Sequence, residues 1–522
     1  MKKCAISGTE FPFTDVDKKI CERFQVPEPT ICPDERHRRR TSWRNELNLY
    51  KRTCDKTGKE IISTYSADKN CKVYCAEAFW SDDWDGTEYG KNFDFNRPFF
   101  EQFEKLHNSV PLLANIAFKC INCEYTNFAV DSKNCYLSAR CGNSEDAMYS
   151  YLAVHSTGVV DCFNTYHCQF CYECVDCWSC YECFYCQLCK NSTNCYFCYD
   201  CIGCGDCFGY TGLRNKKFYF FNIKYTESEY REKVKQYNLG SYKVAQYMRE
   251  EIFARLGKMP KKSAVVLSSE HVTGNYIAES KNIHLGFDIE RVEDGRYIWG
   301  SEYSKDLYDA NFMYYSENVY EQISNTRSTN VTFSFGVYDC NNIAYSMHMF
   351  NGCHDCFGCV SLKKKEYCIL NKQYSKEEYD ALYPRIIEHM KKTKEFGDFF
   401  PTNISPYGYN ETIAYEYFPM TKEGALARGY KWKDPEPHEH KKATAELPDD
   451  IKNVPDSITK EIFASVETGR NYKITAQELK FYQRYGIPLP RTHFTERHRR
   501  RIGIRNPRKI WERNCANCNL PI

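Results

Sequence analysis

Cysteine at almost every third residue, sustained from Cys168 to Cys207 (CQFCYECVDCWSCYECFYCQLCKNSTNCYFCYDCIGCGDC), leaves few folds open to this chain. The wider run from Cys120 to Cys207 holds 18 of the 31 cysteines, and its period is twelve. Asn122, Asn134, Asp146, Gly158, Phe170, Glu182, Asn194 and Asp206 stand at twelve-residue steps, with a Cys or Ser two places before each. A repeat of this kind is read before any motif, because it changes what every cysteine means.

Within each dodecamer the positions one, four, seven and ten after the Asn column carry small side chains. One coil gives Cys135, Ser138, Cys141 and Ser144, the next Ala147, Ser150, Ala153 and Ser156, a later one Cys171, Cys174, Cys177 and Cys180. These columns are expected to face a core too narrow for larger groups, with Tyr136, Tyr172, Phe184, Tyr196 and Phe208 outside in register. The pattern predicts a solenoid with four short sides. Coils spaced by roughly 4.8 Å would make eight of them a rod about 40 Å long.

The coil from Asn134 to Glu145 (NCYLSARCGNSE) resembles the twelve-residue right-handed β-helix coil of the beetle-type insect antifreeze proteins, whose inward positions are Cys, Ser, Cys and Ala. The resemblance covers coil geometry only. The Thr-x-Thr ladder that reads ice is replaced here by Asn/Asp and Tyr/Phe, so ice binding does not carry over. In that fold, cysteines at the spacing of Cys135 and Cys141 are bridged across the coil.

Three readings of the cysteine triplets compete. A zinc array needs Cys-x-x-Cys pairs separated by a hairpin or helix, and an uninterrupted run supplies no separation. An iron–sulfur cluster would leave the shared phase with Ser and Ala unexplained, and no Cys-Pro follows. Cysteine as a small buried hydrophobe accounts for the phase. Stacked thiols that bind a soft metal or oxidise stay open as a third function.

The chain has 522 residues, with 71 basic against 69 acidic, so any basic partner site must be local. Its start, MKKCAISGTEFPF, lacks the apolar run of about 7 to 15 residues of a secretory signal, and no apolar stretch reaches the 18 or so needed to cross a membrane. A cytoplasmic location with reduced thiols is the expectation.

The two ends are copies. GTEFPFTDVDKKICERFQVPEPTICPDERHRRRTSWRNELNLYKRTC from Gly8 aligns without gaps to GRNYKITAQELKFYQRYGIPLPRTHFTERHRRRIGIRNPRKIWERNC from Gly469, at one offset of 461 residues. Each reads as a hairpin, a short helix opened by Thr14 or Thr475, a Pro-x-Pro turn and a basic helix, an order that is treble-clef-like. The zinc positions are incomplete. Cys4 is followed three residues later by Ser7, Cys32 by Glu35, and the second copy offers Ser465, Thr468, His493 and Glu496. Cys515 and Cys518 form a full pair, and Cys54, Cys71 and Cys75 group in the first copy, three thiolates short of a fourth ligand. Candidate zinc ligands are therefore Cys4, Cys32, Cys54, Cys71, Cys75, Cys515 and Cys518. The whole chain also resembles a group of uncharacterised cysteine- and tyrosine-rich bacterial proteins whose end modules more often keep paired cysteines. That resemblance implies degenerate zinc-finger-like modules here.

The sharpest functional signal is the pair of ERHRRR helices. Arg36, Arg40 and Arg44 lie one helical turn apart, as do Arg497, Arg501 and Arg505, with Arg38, Arg39, Arg499 and Arg500 beside them. Guanidinium forks suit phosphate, so these ten arginines are the candidate RNA or DNA contacts. The competing reading is that Arg36 or Arg44 pairs with carboxylates of its own module and holds it together.

The second repeat block steps through Asn282, Asp294, Asp306, Asn318, Asn330 and Asn342, and a one-residue insertion moves its last coil to Asp355. Its inward columns hold Ile283, Leu307, Val319, Val331 and Ile343, so ordinary aliphatic residues replace cysteine. Both blocks end alike: Asp206-Cys-Phe-Gly, Leu213 and Tyr230 match Asp355-Cys-Phe-Gly, Leu362 and Tyr379 at an offset of 149. Pro98 opens a helix whose Phe99, Phe100, Phe103 and Leu106 would cap the first coil. TESE at Thr226 and SKEE at Ser375 are capping boxes. His438 and His440 lie in a polar, Pro-rich linker, and no P-loop, dinucleotide fingerprint, HExxH or GxSxG is present.

The expected fold is mainly β with α: two narrow β-helix solenoids of twelve-residue coils, capping helices and duplicated treble-clef-like end modules. The expected domains are a finger-like module over 1–83, a solenoid cap over 84–119, a Cys-rich solenoid over 120–221 and a helical connector over 222–262. A second solenoid follows over 263–374, then a helix and aromatic docking segment over 375–432, a linker over 433–458 and the second module over 459–522. The expected function is a non-enzymatic scaffold that binds nucleic acid through the arginine helices. The alternatives are a protein-binding scaffold using the aromatic ladders, tested at Tyr172 and Tyr196, and a thiol-based metal or redox protein.

Overall fold

The structure is a computed structural model that describes residues 1–259, 261–434 and 441–521. The chain is mainly β and solenoidal, with eleven α-helices among the described residues. It falls into two compact units that interleave along the sequence. Unit 1 comprises Met1–Asn115, Lys262–Asp434 and Arg508–Ile522, and unit 2 comprises Ile116–Lys261 and Pro435–Pro507.

In unit 2 each coil pairs in parallel with the next at a register of twelve: Tyr151 with Phe163, Phe163 with Val175, Thr193 with Gly205. The antiparallel strand Ile223–Lys224 closes the run against Lys217–Phe220. The coils of unit 1 keep the same step, Leu307 opposite Val319 and Val319 opposite Val331. The inserted residue appears where His354 pairs with Asn341 and Asn342 donates to Asp355, thirteen positions on.

The triplet rhythm has a backbone cause. The residue before each inward side chain is left-handed, as at Asn122 (φ 51°), Asn134 (φ 54°), Asp146 (φ 55°) and Asn194 (φ 53°). That conformation costs an L-residue roughly 1 kcal/mol; Asn, Asp and Gly tolerate it best and fill much of one column, but Leu137, Arg140, Tyr149 and Leu152 adopt it in the others. The column also bonds along the stack: Asn282 donates to Asp294 at 2.9 Å, Asn318 to Asn330 at 2.7 Å and Asn330 to Asn342 at 2.9 Å.

The inward residues do more than fit. Cys162 donates its S–H to the carbonyls of Val160 (3.4 Å) and Cys171 (3.5 Å), and Ser144 makes the same pair of contacts to Gly142 and Ala153, both at 3.0 Å. Cysteine and serine are therefore interchangeable small donors that satisfy carbonyls turned toward a dry axis. Sixteen of the cysteines in this run are buried, Cys120 and Cys123 at its first coil being half-buried. Burial pushes the Cys177 thiol up to about 12, although Cys174 and Cys189 counter it in part. In unit 1 the core of the earlier coils is aliphatic, Ile283, Leu307, Val319 and Met313 among it, and that of the later coils mixes aliphatic residues with Cys340, Cys353, Cys356, Cys359 and Cys368.

The capping boxes form at Thr14 with Asp17, Thr226 with Glu229, Ser375 with Glu378 and Thr475 with Glu478. The helix Phe99–Ser109, expected to cap the first Cys-rich coil, belongs instead to unit 1, where it buries Phe99, Phe103 and Leu106, with Phe99 against Tyr345 and Phe357 of the second repeat block. The stretch expected as a linker differs from expectation. Residues 435–440, with His438 and His440, lie outside the described residues, but further on two 3₁₀ turns bury Ile451, Val454 and Ile458 against Leu479 and Tyr482 in unit 2. Three apolar residues spaced through a polar segment are enough to seat it.

Candidate functional site

The N-terminal arginine helix, Pro33–Thr41, starts at Cys32 with Pro33 in its first turn. Its copy, Phe494–Gly503, starts at His493, whose side chain accepts from the Thr495 N–H. The preceding helices, Asp15–Phe24 and Ala476–Tyr485, end in left-handed Gln25 and Gly486, which stand at the 461 offset. Local sequence thus ends the first helix of both copies with the same left-handed turn.

Neither stripe faces solvent. In unit 1 Arg36 donates to Asp309 through Nε (3.0 Å) and Nη2 (2.7 Å), and Arg40 donates to Asn311 (2.9 Å), Glu321 (2.8 Å) and Asp309 (3.3 Å). Arg44 is closed by Glu46 at 2.5 Å and by the Ser324 hydroxyl. In unit 2 Arg497 and Arg501 both donate to Asp161, at 2.9 and 2.8 Å, and Arg505 donates to Asp176 at 2.9 Å. The surface stripe expected from the sequence is corrected: Arg36, Arg40, Arg497 and Arg501 are each under 5 % exposed. The physical reason is a carboxylate on the coil opposite each guanidinium, without which the buried charge would be prohibitive.

The two sets correspond residue by residue. Asp161, Glu173 and Asp176 stand 148 residues before Asp309, Glu321 and Ser324, as the arginines stand 461 apart. Even the carbonyl contacts repeat, Arg36 to Ile31 and Arg497 to Thr492, both at 2.7 Å. Arg36 lies over the Tyr297 ring and Arg497 over Tyr149, again 148 apart. Sequence reading missed these carboxylates. The 148-residue offset between blocks, applied to acidic residues, would have found them.

Charge sets the electrostatics. Burial works against ionisation of Asp161, but Arg497 and Arg501 outweigh it and hold the carboxyl below its usual range. At Glu321 burial wins over Arg40 and Arg39 and pushes the carboxyl up. Burial also raises Glu478 to about 7, against a Thr475 N–H, Arg497 and the Tyr149 hydroxyl, which donates at 2.8 Å.

The remaining arginines are less enclosed. Arg38 pairs with Glu35 at 2.5 Å and Arg39 with Asp398 at 2.9 Å. Arg499 is exposed, and Arg500 touches the Thr492 hydroxyl with Glu467 3.8 Å away.

The candidate zinc ligands come together in pairs. Cys4 accepts the N–H of Ser7 (3.5 Å) and of Cys32 (3.3 Å), and these bonds with the Ser7 hydroxyl overcome burial and bring its thiol down to about 7. Cys54 repeats the arrangement: it accepts from the Cys75 N–H at 3.3 Å, and despite burial the Thr57 hydroxyl and backbone bring it to about 7. Cys71 instead sits beside Arg52, its thiol pushed up by burial. Cys515 and Cys518 adjoin, the Cys518 N–H lowering Cys515. In the second copy, Ser465 and Thr468 both donate to Glu496. Among the described residues no group of three or more His, Cys, Asp or Glu side chains is placed to hold a metal ion.

The aromatic ladder named from sequence is also corrected. Tyr172 is buried under Tyr482 and Phe481, and Tyr196 is half-buried, stacked between Phe184 and Phe208. Exposed rings stack instead in unit 1, Tyr303 on Tyr315 at 4.8 Å, with Arg291 over Tyr303. No family model, curated protein or solved structure matches the chain. No described helix is long and apolar enough to cross a membrane.

Proposed function

We propose that the chain is a non-enzymatic, protein-binding scaffold: two stacked-coil solenoids, each clamped by a degenerate finger-like module through its arginine helix. The observation that carries this reading is the use of both arginine stripes inside their own units. The residues best suited to phosphate are spent on Asp309, Glu321, Asp161 and Asp176. What remains for a partner is a rigid flank with exposed stacked rings, Tyr303 and Tyr315, 41 % and 58 % exposed. Aromatic surface of this kind is enriched at protein interfaces. A nucleic-acid reading is left with Arg499 and the half-open Arg500.

The test is capture by the full chain from lysate, with and without nuclease and at low and high salt. A retained protein insensitive to both, lost when Tyr303→Ser and Tyr315→Ser are combined, is expected. Retention that disappears with nuclease, with a steep salt dependence, would sink the reading in favour of nucleic acid.

A further inference from the structure

We infer that the solenoid axis of unit 1 binds internal water between the amide side chains of Gln322 and Asn325, a wet layer inside an apolar core. The site lies within one unit and is independent of the protein-binding reading above.

The register puts both side chains on the axis. At the twelve-residue step Gln322 stands opposite Ala310, and Asn325 stands between Met313 and Val337, all three of which belong to the buried apolar core. Both amides are carried by the strand Glu317–Thr326, and they are 0 % and 1 % exposed. Oε1 and Nε2 of Gln322, and Oδ1 and Nδ2 of Asn325, are all buried with no hydrogen-bond partner among the described residues.

The surrounding core bears the mark of this layer. One apolar cluster runs from Ile277 to Val319 and the next from Val331 to Cys368, so the core parts at the coil that carries the two amides. Unit 2 shows a satisfied version of the same place. At the offset of 148 the counterparts are Cys174 and Cys177, whose thiols donate to the carbonyls of Cys183 at 3.2 Å, and of Val175 and Cys186 at 3.5 and 3.6 Å. Thiols are satisfied by the coil wall, whereas the amides reach past it.

Four unmade polar groups would together offset much of what keeps a domain folded, so the axis itself has to supply their partner. The atoms specify which. Each amide presents two N–H donors and one carbonyl acceptor, so the occupant must both accept and donate. A cation would serve the oxygens and leave the N–H groups bare, and an anion would do the reverse. Water does both, and a buried water makes about three such bonds. Gln322 is flanked in its column by the small side chains of Ala310 and Ser334, and the Ser334 hydroxyl is already engaged, donating to the Thr332 carbonyl at 2.7 Å.

Oxygen-17 magnetic relaxation dispersion of the full-length protein counts waters held for longer than the molecule tumbles. Gln322→Met combined with Asn325→Leu should remove the contribution of at least one such water and leave the chain folded, because apolar side chains need no partner there. An undiminished dispersion in the folded double variant overturns the site. A crystal structure of the unaltered chain decides the matter independently of that variant's folding. Solvent density within hydrogen-bonding distance of both amides is expected, and amides bonded directly to each other or to the backbone would overturn the inference. Replacing potassium by choline in the buffer should leave the melting temperature unchanged. A melting temperature that follows the cation would mean that an ion occupies the layer, and would overturn it as well.

Discussion

The two units face one problem, a basic helix laid against a coil, and answer it with different numbers of carboxylates. In unit 1 Arg36, Arg39 and Arg40 share Asp309 and Glu321, with Asp398 and Asn311 in support. In unit 2 Arg497 and Arg501 share the one buried Asp161, because Glu173 is turned to Arg249. The same geometry is therefore redundant in one unit and single-threaded in the other. A second contrast lies one helix earlier. Asp17 of unit 1 pairs with Arg296 at 3.0 Å, whereas Met148 stands at the position equivalent to Arg296 and the counterpart Glu478 accepts from the Tyr149 and Tyr482 hydroxyls and the Thr475 N–H.

Removing the single carboxylate should break the comparison most sharply. Asp161→Asn leaves two buried guanidiniums uncompensated and should cost unit 2 about 3–5 kcal/mol, whereas Asp309→Asn, with Glu321 and Asn311 still present, should cost unit 1 roughly 2 kcal/mol. Hydrogen exchange read separately over peptides of each unit distinguishes the two. Equal losses would mean that the carboxylate count is irrelevant.

Glu478, which has no cation at the place where Asp17 meets Arg296, gives unit 2 a pH dependence of its own. Its folded pKa of about 7 lies above the ordinary glutamate value, so the stability it contributes is whole below pH 4.5 and is lost as pH rises through about 7. Glu478→Gln should match the parent near pH 4 and exceed it by up to roughly 3 kcal/mol at pH 8. A parallel pair of pH–stability curves would remove the contrast.

The cores differ in what they tolerate. Cys177→Leu forces a larger side chain into the thiol-lined axis and should cost about 2 kcal/mol, while Ile283→Val in the aliphatic axis of unit 1 should cost about 1 kcal/mol, both read by urea unfolding. The smallest effect is chemical. Native protein should be labelled by a thiol reagent only at Cys71, Cys75, Cys120, Cys123, Cys515 and Cys518, with the buried cysteines reacting after unfolding. Early labelling of Cys174 or Cys177 would show that the coils open.

Much of the coil architecture was legible because a dodecad of small residues has one geometric meaning, and the capping boxes were legible because they are local. The Asn column was visible as a marker, but the left-handed residue at every third position is a backbone property that composition only hints at. The arginine stripe was visible too, and read outward. Deciding its direction required Asp161 and Asp309, which lie 336 and 273 residues away from the arginines they hold, and no local pattern carries that pairing. The seated turns at Ile451 and Ile458 were hidden by the polar residues around them.

That sequence separation also governs how the chain is born. Arg36 leaves the ribosome with its counter-ion 273 residues downstream in the message still to be read, which at about 10 residues per second is roughly half a minute of synthesis. Throughout that interval the nascent amino-terminal module carries unneutralised guanidiniums and the bare apolar face that coils yet unmade will cover. A chaperone that shields basic, aromatic segments would meet this protein early and release it late.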